Sequence, residues 1–138
     1  WAGDHNPHLA AMLQSIDEGI GLITKKLDEL GIADNTIIIF TSDNGGEMHV
    51  TSNAPLRGGK SQLYEGGIRV PQIVRWPKEI PAGVICNEPT MNIDFYPTLL
   101  EAAGIEPSPS QKLDGFSTLT TWRKPSVPIG RESLCWHY

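Results

Sequence analysis

The sequence has few cysteines, no cluster of basic residues and no long apolar run, and each of these absences excludes a class of protein. Its 138 residues include two cysteines, Cys86 and Cys135, which are too few for a disulfide framework and form no C-x-x-C pair. The net charge is −5 without a Lys/Arg block, so the chain lacks the electrostatic footprint of a nucleic-acid-binding protein. No apolar run approaches the roughly 20 residues of a membrane-spanning helix. We therefore expect no nucleic-acid partner and no membrane span.

The local motifs of several enzyme classes are also absent. The four histidines, His5, His8, His49 and His137, form no H-E-x-x-H or H-x-x-x-H pair for a metal ion. There is no G-x-S-x-G elbow for a serine hydrolase, and neither cysteine has a local setting that marks a nucleophile. Gly59-Lys60-Ser61 resembles the end of a phosphate-binding loop, but that motif needs a glycine where this chain has Ala54. We therefore do not expect a nucleotide-binding loop.

The beginning of the chain indicates a piece of a longer polypeptide. The first residue is Trp1 rather than Met, and no basic and apolar leader follows it. We expect an internal piece, and we call the complete polypeptide the parent protein. The cellular compartment cannot be read from a targeting segment.

The stretch from Thr36 to Gly46, TIIIFTSDNGG, predicts a buried strand that ends in a polar turn. Its unbroken run of β-branched and aromatic residues is typical of a strand covered on both faces, as in a parallel sheet flanked by helices. Asp43 and Asn44 follow the strand, and ligands bind at the carboxyl ends of strands in open α/β sheets. Their oxygen atoms are the type that Ca²⁺ or Mg²⁺ prefers. The alternative, a tight turn formed for local reasons alone, stays open at this point.

The rest of the chain predicts an α/β arrangement around that strand. Apolar residues at steps of three and four predict a long amphipathic helix whose stripe faces a core, and Gly19 and Gly21 within it predict close packing against a neighbour. The predicted elements are a helix from Pro7 to Leu30 with Asn6 as N-cap and Gly31 as its end, a strand within Ile68–Trp76 with Pro71 near its start, and a helix through Ala103 capped by Asp94 and ended by Gly104. No complete element is predicted after Leu113.

The glycine-rich segment from Glu47 to Gly67 carries the charges best suited to an anion. An irregular segment of this length inside a compact domain is usually functional or disordered. Lys60 offers a compact ammonium group for an anionic oxygen beside a metal ion. Arg57 and Arg69 are expected to orient the loop through carboxylates such as Glu65. The alternative, that all three cations are solvated loop charges, also stays open.

Several stretches resemble the sulfatase family. The segment Asn53–Pro71, NAPLRGGKSQLYEGGIRVP, closely resembles the second of the two sequence signatures of that family. Three further stretches, AAMLQSIDEGIG, IIFTSDNG and DFYPTLLEAAGI, resemble it in matching order and spacing, and Leu113–Ser117 resembles its L-D-G-x-S segment. The similarity covers roughly residues 8 to 118.

This resemblance implies a fold, an activity and roles for three residues. The implied fold is the C-terminal part of an alkaline-phosphatase-like, mainly parallel sheet flanked by helices, over residues 1–105, followed by a linker and the start of a small C-terminal subdomain over residues 106–138. The implied activity is hydrolysis of sulfate esters with bound Ca²⁺, with Mg²⁺ as the alternative ion. By resemblance, Asp43 and Asn44 match the metal-binding residues, and Lys60 matches the catalytic lysine that contacts the sulfate group. A periplasmic, secreted or lysosomal location is suggested.

The chain also departs from the family pattern. The nucleophile of the family is a Cys or Ser in C/S-x-P-x-R that is converted to formylglycine, and neither Cys86 nor Cys135 lies in such a motif. The leaving-group histidine lies well upstream of the long helix, whereas His5, in an H-x-P context, is too close to it. We expect formylglycine in the parent protein outside this chain, and an inactive isolated chain.

The same resemblance leaves alternatives for function and partners. One is a phosphodiesterase or phosphonate hydrolase of the same superfamily, and another is a non-catalytic fragment of the fold. The expected substrate is a sulfate-ester small molecule or a sulfated glycan. A sheet without its N-terminal strands would expose an apolar edge, through which the isolated chain could self-associate.

Overall fold

The computed structural model describes residues 6–137. The chain divides into two compact units, Trp1–Trp76 with Trp136–Tyr138, and Pro77–Cys135. In chain order the helices and strands are α1 (Pro7–Glu29), β1 (Ile38–Thr41), α2 (Glu65–Ile68), β2 (Gln72–Arg75), α3 (Phe95–Ala102) and α4 (Leu119–Arg123), with single 3₁₀ turns at Ala33–Asn35 and Asn92–Asp94. No helix among the described residues combines the length and apolar character needed to cross a membrane. The division predicted between residues 105 and 106 stays a prediction.

Helix α1 begins and ends where its sequence predicts. The Asn6 side chain accepts hydrogen bonds from the N–H groups of His8 and Leu9, each at 3.1 Å, which satisfies two donors that have no partner within the helix. Pro7 occupies the first turn, where its missing N–H costs nothing. Gly31 follows the helix with φ of +67°, the left-handed conformation that ends many helices.

The apolar stripe of α1 is left exposed by the described residues. Met12, Ile16 and Ile23 are 57%, 49% and 58% exposed. A Cβ added at Gly19 or Gly21 would meet nothing within 4 Å in this part of the chain. The close packing predicted at these two glycines is therefore not present among the described residues.

Strands β1 and β2 form an antiparallel pair. Ile38 lies opposite Arg75, and Thr41 lies opposite Gln72. The predicted strand is confirmed, but its neighbour among the described residues is antiparallel rather than parallel. The segment between the strands is long enough for a parallel return, but its only helix is the four-residue α2, whereas such a return usually crosses the sheet through a longer helix. The expected cover on both faces is also missing here, since Phe40 is 38% exposed.

The second unit has its core between α3 and α4. Thr98 on α3 is fully buried, and its Oγ accepts a hydrogen bond from the Thr118 N–H at 2.9 Å. Leu119 and Trp122 of α4 are 1% and 8% exposed. The sequence predicted no complete element in this region, so α4 is an addition from the structure. Its five residues are too few to show a helical period.

Asp94 is the N-cap residue of α3, as predicted, but its side chain makes no capping hydrogen bond to this helix. Its carboxylate accepts hydrogen bonds from the Met91 N–H at 2.8 Å and the Phe116 N–H at 2.9 Å, and it forms a salt bridge with Arg131. Asp94 is 1% exposed. The predicted cap position is therefore confirmed, but a side-chain cap is not, because these partners hold the carboxylate away from the free N–H groups of α3. Helix α3 still ends before Gly104, whose φ is +68°, as predicted.

Candidate metal and anion site

The turn after β1 presents two side-chain oxygens. The Asn44 N–H donates to Asp43 Oδ1 at 3.0 Å, and Asn44 Nδ2 donates to the Gly45 carbonyl at 3.0 Å. Ser42 Oγ donates to the Asn44 carbonyl at 2.8 Å and closes the turn. The amide nitrogen of Asn44 is thus engaged locally. Asp43 Oδ2 and Asn44 Oδ1 have no hydrogen-bond donor among the described residues, so both can bind a ligand.

These oxygens fit part of a site for a hard cation. A carboxylate and a carboxamide oxygen are suitable ligands for Ca²⁺, which takes about six to eight oxygens. Asp43 is exposed and Asn44 is half-buried, so both can be reached from outside the turn. Among residues 6–137 no group of three or more His, Cys, Asp or Glu side chains could hold a metal ion. Asp43 and Asn44 therefore suit Ca²⁺ as partial ligands, and no further cluster of His, Cys, Asp or Glu side chains among the described residues completes the set.

The glycine-rich segment from Glu47 to Gly67, called the loop from here on, is bonded to this turn through main-chain hydrogen bonds. The Lys60 N–H donates to the Gly46 carbonyl at 3.1 Å. The Gly45 N–H donates to the Gly67 carbonyl at 2.9 Å. The structure therefore brings the main chain of Lys60 against the turn that begins with Asp43 and Asn44.

Glycines permit this close approach of three chain segments. A Cβ at Gly45 would overlap the carbonyl of Gly66, and a Cβ at Gly59 would lie 2.5 Å from the Gly46 carbonyl oxygen. Both contacts are with backbone atoms, which cannot move aside as the end of a flexible side chain can. The adjacent glycines in the sequence are therefore required by packing between segments, in addition to any role in local turns.

Lys60 has an exposed side chain, and its main chain lies beside the turn. Its side chain is exposed and forms no ion pair or hydrogen bond with another described residue. The next residue, Ser61, has φ of +67°, which is uncommon for a residue with a Cβ and reverses the chain immediately after Lys60. The Gln62 Oε1 accepts from the Gly59 N–H at 3.2 Å, so the two consecutive peptides before the Lys60 side chain are both hydrogen-bonded.

The arginines of the loop behave differently from one another. Arg69 pairs with Glu65 at 3.3 Å, as expected, but both side chains are mostly exposed, so the pair contributes little to stability. Arg57 instead stacks over the Tyr64 ring, with its guanidinium carbon 3.7 Å from the ring centroid. The sequence had paired Arg57 with a carboxylate because charge was the only visible signal.

The histidines and cysteines take no visible part in the site. His8, His49 and His137 are exposed, and His5 lies outside the described residues. Cys86 and Cys135 are free and exposed.

One residue of the loop escaped the sequence analysis. Asn53 lies within the stretch that resembles the family signature, but no role was assigned to it. Its side chain forms two hydrogen bonds to Gly46, seven residues earlier. No periodicity or spacing signals such a contact, because it depends on the path of the loop between the two residues.

Comparison with known proteins identifies the family. The family model described as Sulfatase matches residues 6–105, so the chain belongs to the sulfatase family. Human steryl-sulfatase is 43% identical over 135 residues, covering 91% of this chain and 23% of that protein. The chain spans about a quarter of the length of the curated relatives it matches.

Solved structures confirm the fold class. The structure of Ps i-CgsB in complex with k-i-k-neocarrahexaose has a TM-score of 0.79 and 38% identity, covering 84% of this chain and 26% of that one. The structure of BT4656 in complex with its substrate D-glucosamine-2-N,6-O-disulfate has a TM-score of 0.68 and 34% identity, covering 82% and 22%. The chain is a fragment of the alkaline-phosphatase-like α/β fold, as its resemblance to the family implied.

Proposed function

We propose that the parent protein hydrolyses sulfate esters and that this chain supplies three residues to its active site. Lys60 contacts the sulfate group, while Asp43 and Asn44 are ligands of a bound Ca²⁺. The observation that carries the proposal is the 3.1 Å hydrogen bond from the Lys60 N–H to Gly46, on the turn that follows Asp43 and Asn44. Membership of the sulfatase family gives the reaction class.

Lys60 lowers the barrier through charge. Its ammonium group has no partner among the described residues, so it is available to an anionic oxygen. In the reaction it neutralises a sulfate oxygen and the negative charge that develops on the bridging oxygen. A positioned charge of this kind stabilises the transition state without reorganising when the bond breaks.

Asp43 and Asn44 would supply part of the ligand set of the cation. Their free oxygens provide two of the ligands, and the others come from outside this chain. Bound Ca²⁺ supplies positive charge that polarises the sulfate oxygens. The nucleophile, expected as formylglycine, also lies outside this chain, so the isolated 138-residue chain is inactive in this proposal.

The substrate class follows from the relatives. Steryl-sulfatase is named for a steryl substrate, whereas the two structural neighbours contain a hexaose and a glucosamine disulfate. We propose a sulfate-ester small molecule or a sulfated glycan for the parent protein. In this proposal the loop contacts the sulfate group, which small-molecule sulfate esters and sulfated glycans share, so the loop does not distinguish the two classes. Turnover of a panel of aryl, steryl and glycan sulfates would distinguish them.

The central experiment is the Lys60→Ala substitution in the parent protein. Turnover of sulfate esters should fall by about 10²- to 10³-fold while the fold stays intact, as judged by circular dichroism. Lys112→Ala is the matched control, since Lys112 is an exposed lysine outside the loop, and it should leave turnover unchanged. An unchanged rate in Lys60→Ala would remove this residue from the mechanism.

A second measurement separates the alternatives within the superfamily. The parent protein should hydrolyse aryl sulfates faster than the matching phosphate mono- and diesters and phosphonates. Preference for a phosphorus substrate would instead identify a phosphodiesterase or phosphonate hydrolase. Absence of turnover on all of them would favour a non-catalytic protein.

A further inference from the structure

We infer that Asn53 is a positioning residue that fixes Lys60 relative to the Asp43-Asn44 turn through the peptide groups of Gly46. The inference rests on the proposed function, because it assigns Asn53 a task in the same site. It concerns how the loop is held together and requires no direct contact between Asn53 and the substrate.

The Asn53 carboxamide pairs with both main-chain polar groups of Gly46. The Gly46 N–H donates to Asn53 Oδ1 at 2.8 Å, and Asn53 Nδ2 donates to the Gly46 carbonyl at 2.8 Å. Two short bonds to one residue fix both the distance and the orientation between the loop and the turn. The Asn53 side chain thus satisfies the two main-chain groups of Gly46 that a neighbouring β-strand would otherwise bond.

Lys60 shares the acceptor that Asn53 uses. The Gly46 carbonyl accepts from Asn53 Nδ2 and also from the Lys60 N–H, at 2.8 Å and 3.1 Å. A carbonyl oxygen has two lone pairs, so these two donors occupy both of them. Asn53 therefore orients the group to which the main chain of Lys60 is bonded.

Asn53 also contacts the residue before Lys60. A Cβ added at Gly59 would lie 2.7 Å from Asn53 Nδ2 and 2.5 Å from the Gly46 carbonyl oxygen. The half-buried carboxamide thus lies between the turn and Gly59. Loss of the carboxamide would let Gly59 and Lys60 shift together.

Only a carboxamide of this length matches the two groups. Aspartate keeps the acceptor for the Gly46 N–H but places an oxygen against the Gly46 carbonyl, and alanine provides neither partner. Asn53→Asp therefore preserves side-chain volume while breaking one bond. Asn53→Ala removes both bonds, and Ser52→Ala is the matched control, since it disturbs only a 3.3 Å bond within the loop.

The test is a double-mutant cycle with Lys60 in the parent protein, using an aryl sulfate at saturating Ca²⁺. Asn53→Ala and Asn53→Asp should each lower kcat by about 10- to 100-fold, since a misplacement of about 1 Å can cost that much. Ser52→Ala should leave kcat within about twofold. In the Lys60→Ala background, Asn53→Ala should cause almost no further loss, because Asn53 acts through Lys60.

Amide hydrogen exchange provides a readout that does not depend on activity. Exchange of the Lys60 N–H should speed up at least tenfold in both Asn53 variants and not in Ser52→Ala. Exchange of the Gly46 N–H should speed up in Asn53→Ala, which removes its acceptor. Unchanged exchange at Lys60, unchanged kcat, or losses that add fully in the double variant would each overturn the inference. If Lys60→Ala alone has no effect, the proposed function fails, and the exchange data still decide whether Asn53 positions Lys60.

Discussion

Gly59 packs against Gly46 so closely that a Cβ at Gly59 would lie 2.5 Å from the Gly46 carbonyl oxygen. That oxygen also accepts the N–H of Lys60. The spacing between the loop and the turn is therefore set by the absence of a side chain at one position. Any residue larger than glycine must displace the loop that carries the lysine.

We predict that Gly59→Ala strongly lowers the activity of the parent protein, although it adds only one methyl group. The added methyl group must push Lys60 away from the turn, so kcat should fall by at least about 10-fold and stability by about 1–3 kcal/mol. Ser110→Ala, at an exposed position outside this loop, is the control. The measurements are kinetics with an aryl sulfate and urea unfolding. Equal activity in the two variants would contradict this packing argument.

The Asp94–Arg131 ion pair predicts a specific loss of stability in acid. Burial raises the pKa of Asp94, but hydrogen bonds from Arg131 and from the N–H groups of Met91 and Phe116, together with the Arg131 charge, bring its pKa below the ordinary value of 3.8. A carboxylate with a lowered pKa stabilises the fold above its unfolded pKa. That contribution to stability is lost as the pH falls from about 4 through the lowered pKa of Asp94 in the folded protein.

The experiment compares Asp94→Asn with the unsubstituted parent protein by urea unfolding between pH 7 and pH 3. At pH 7 the variant should be less stable by about 3–5 kcal/mol, because Arg131 would keep its charge in a largely buried position. The difference should shrink below about pH 4. Asp114→Asn, at an exposed carboxylate, is the control and should be nearly neutral throughout. A pH-independent difference would show that the ionised pair is not the cause.

The exposed apolar residues predict that the isolated chain self-associates. Ile73 on β2 is 60% exposed, and the apolar stripe of α1 is also uncovered by the described residues. Size-exclusion chromatography should therefore show species larger than 15.1 kDa. Ile73→Lys should shift the elution toward the monomer, because a lysine on an exposed strand opposes pairing with another chain. Ile85→Lys is the control, at an 83% exposed residue in the second unit, and it should leave the elution unchanged. A monomeric unsubstituted chain would rule the prediction out.

The proposed cation site predicts different Ca²⁺ affinities for the isolated chain and the parent protein. The isolated chain should bind Ca²⁺ only weakly by calorimetry, since two side chains cannot supply about six to eight oxygens. In the parent protein, Asp43→Ala should raise the Ca²⁺ concentration needed for half-maximal activity by at least about 10-fold. Asp34→Ala, at an exposed carboxylate before β1, is the control. Tight binding by the isolated chain would show that its own residues complete the site.

The sequence by itself determined the features whose causes lie within a few residues. The cap at Asn6, the helix end at Gly31 and the polar turn at Asp43 and Asn44 could each be predicted, because a cap or a turn depends on its immediate neighbours. Resemblance to the family then joined Lys60 to that turn, and the structure places the Lys60 main chain there.

Only the tertiary structure decided the features that join residues far apart in the chain. Three contacts are of this kind, and they link segments separated by up to 37 residues. They are the antiparallel pairing of β1 with β2, the two hydrogen bonds from Asn53 to Gly46 and the salt bridge between Asp94 and Arg131. Hydrophobic periodicity does not indicate which polar groups from separate segments form a hydrogen bond or salt bridge. The geometry of these contacts depends on the path of the loops between the segments, and that path is fixed when the segments pack.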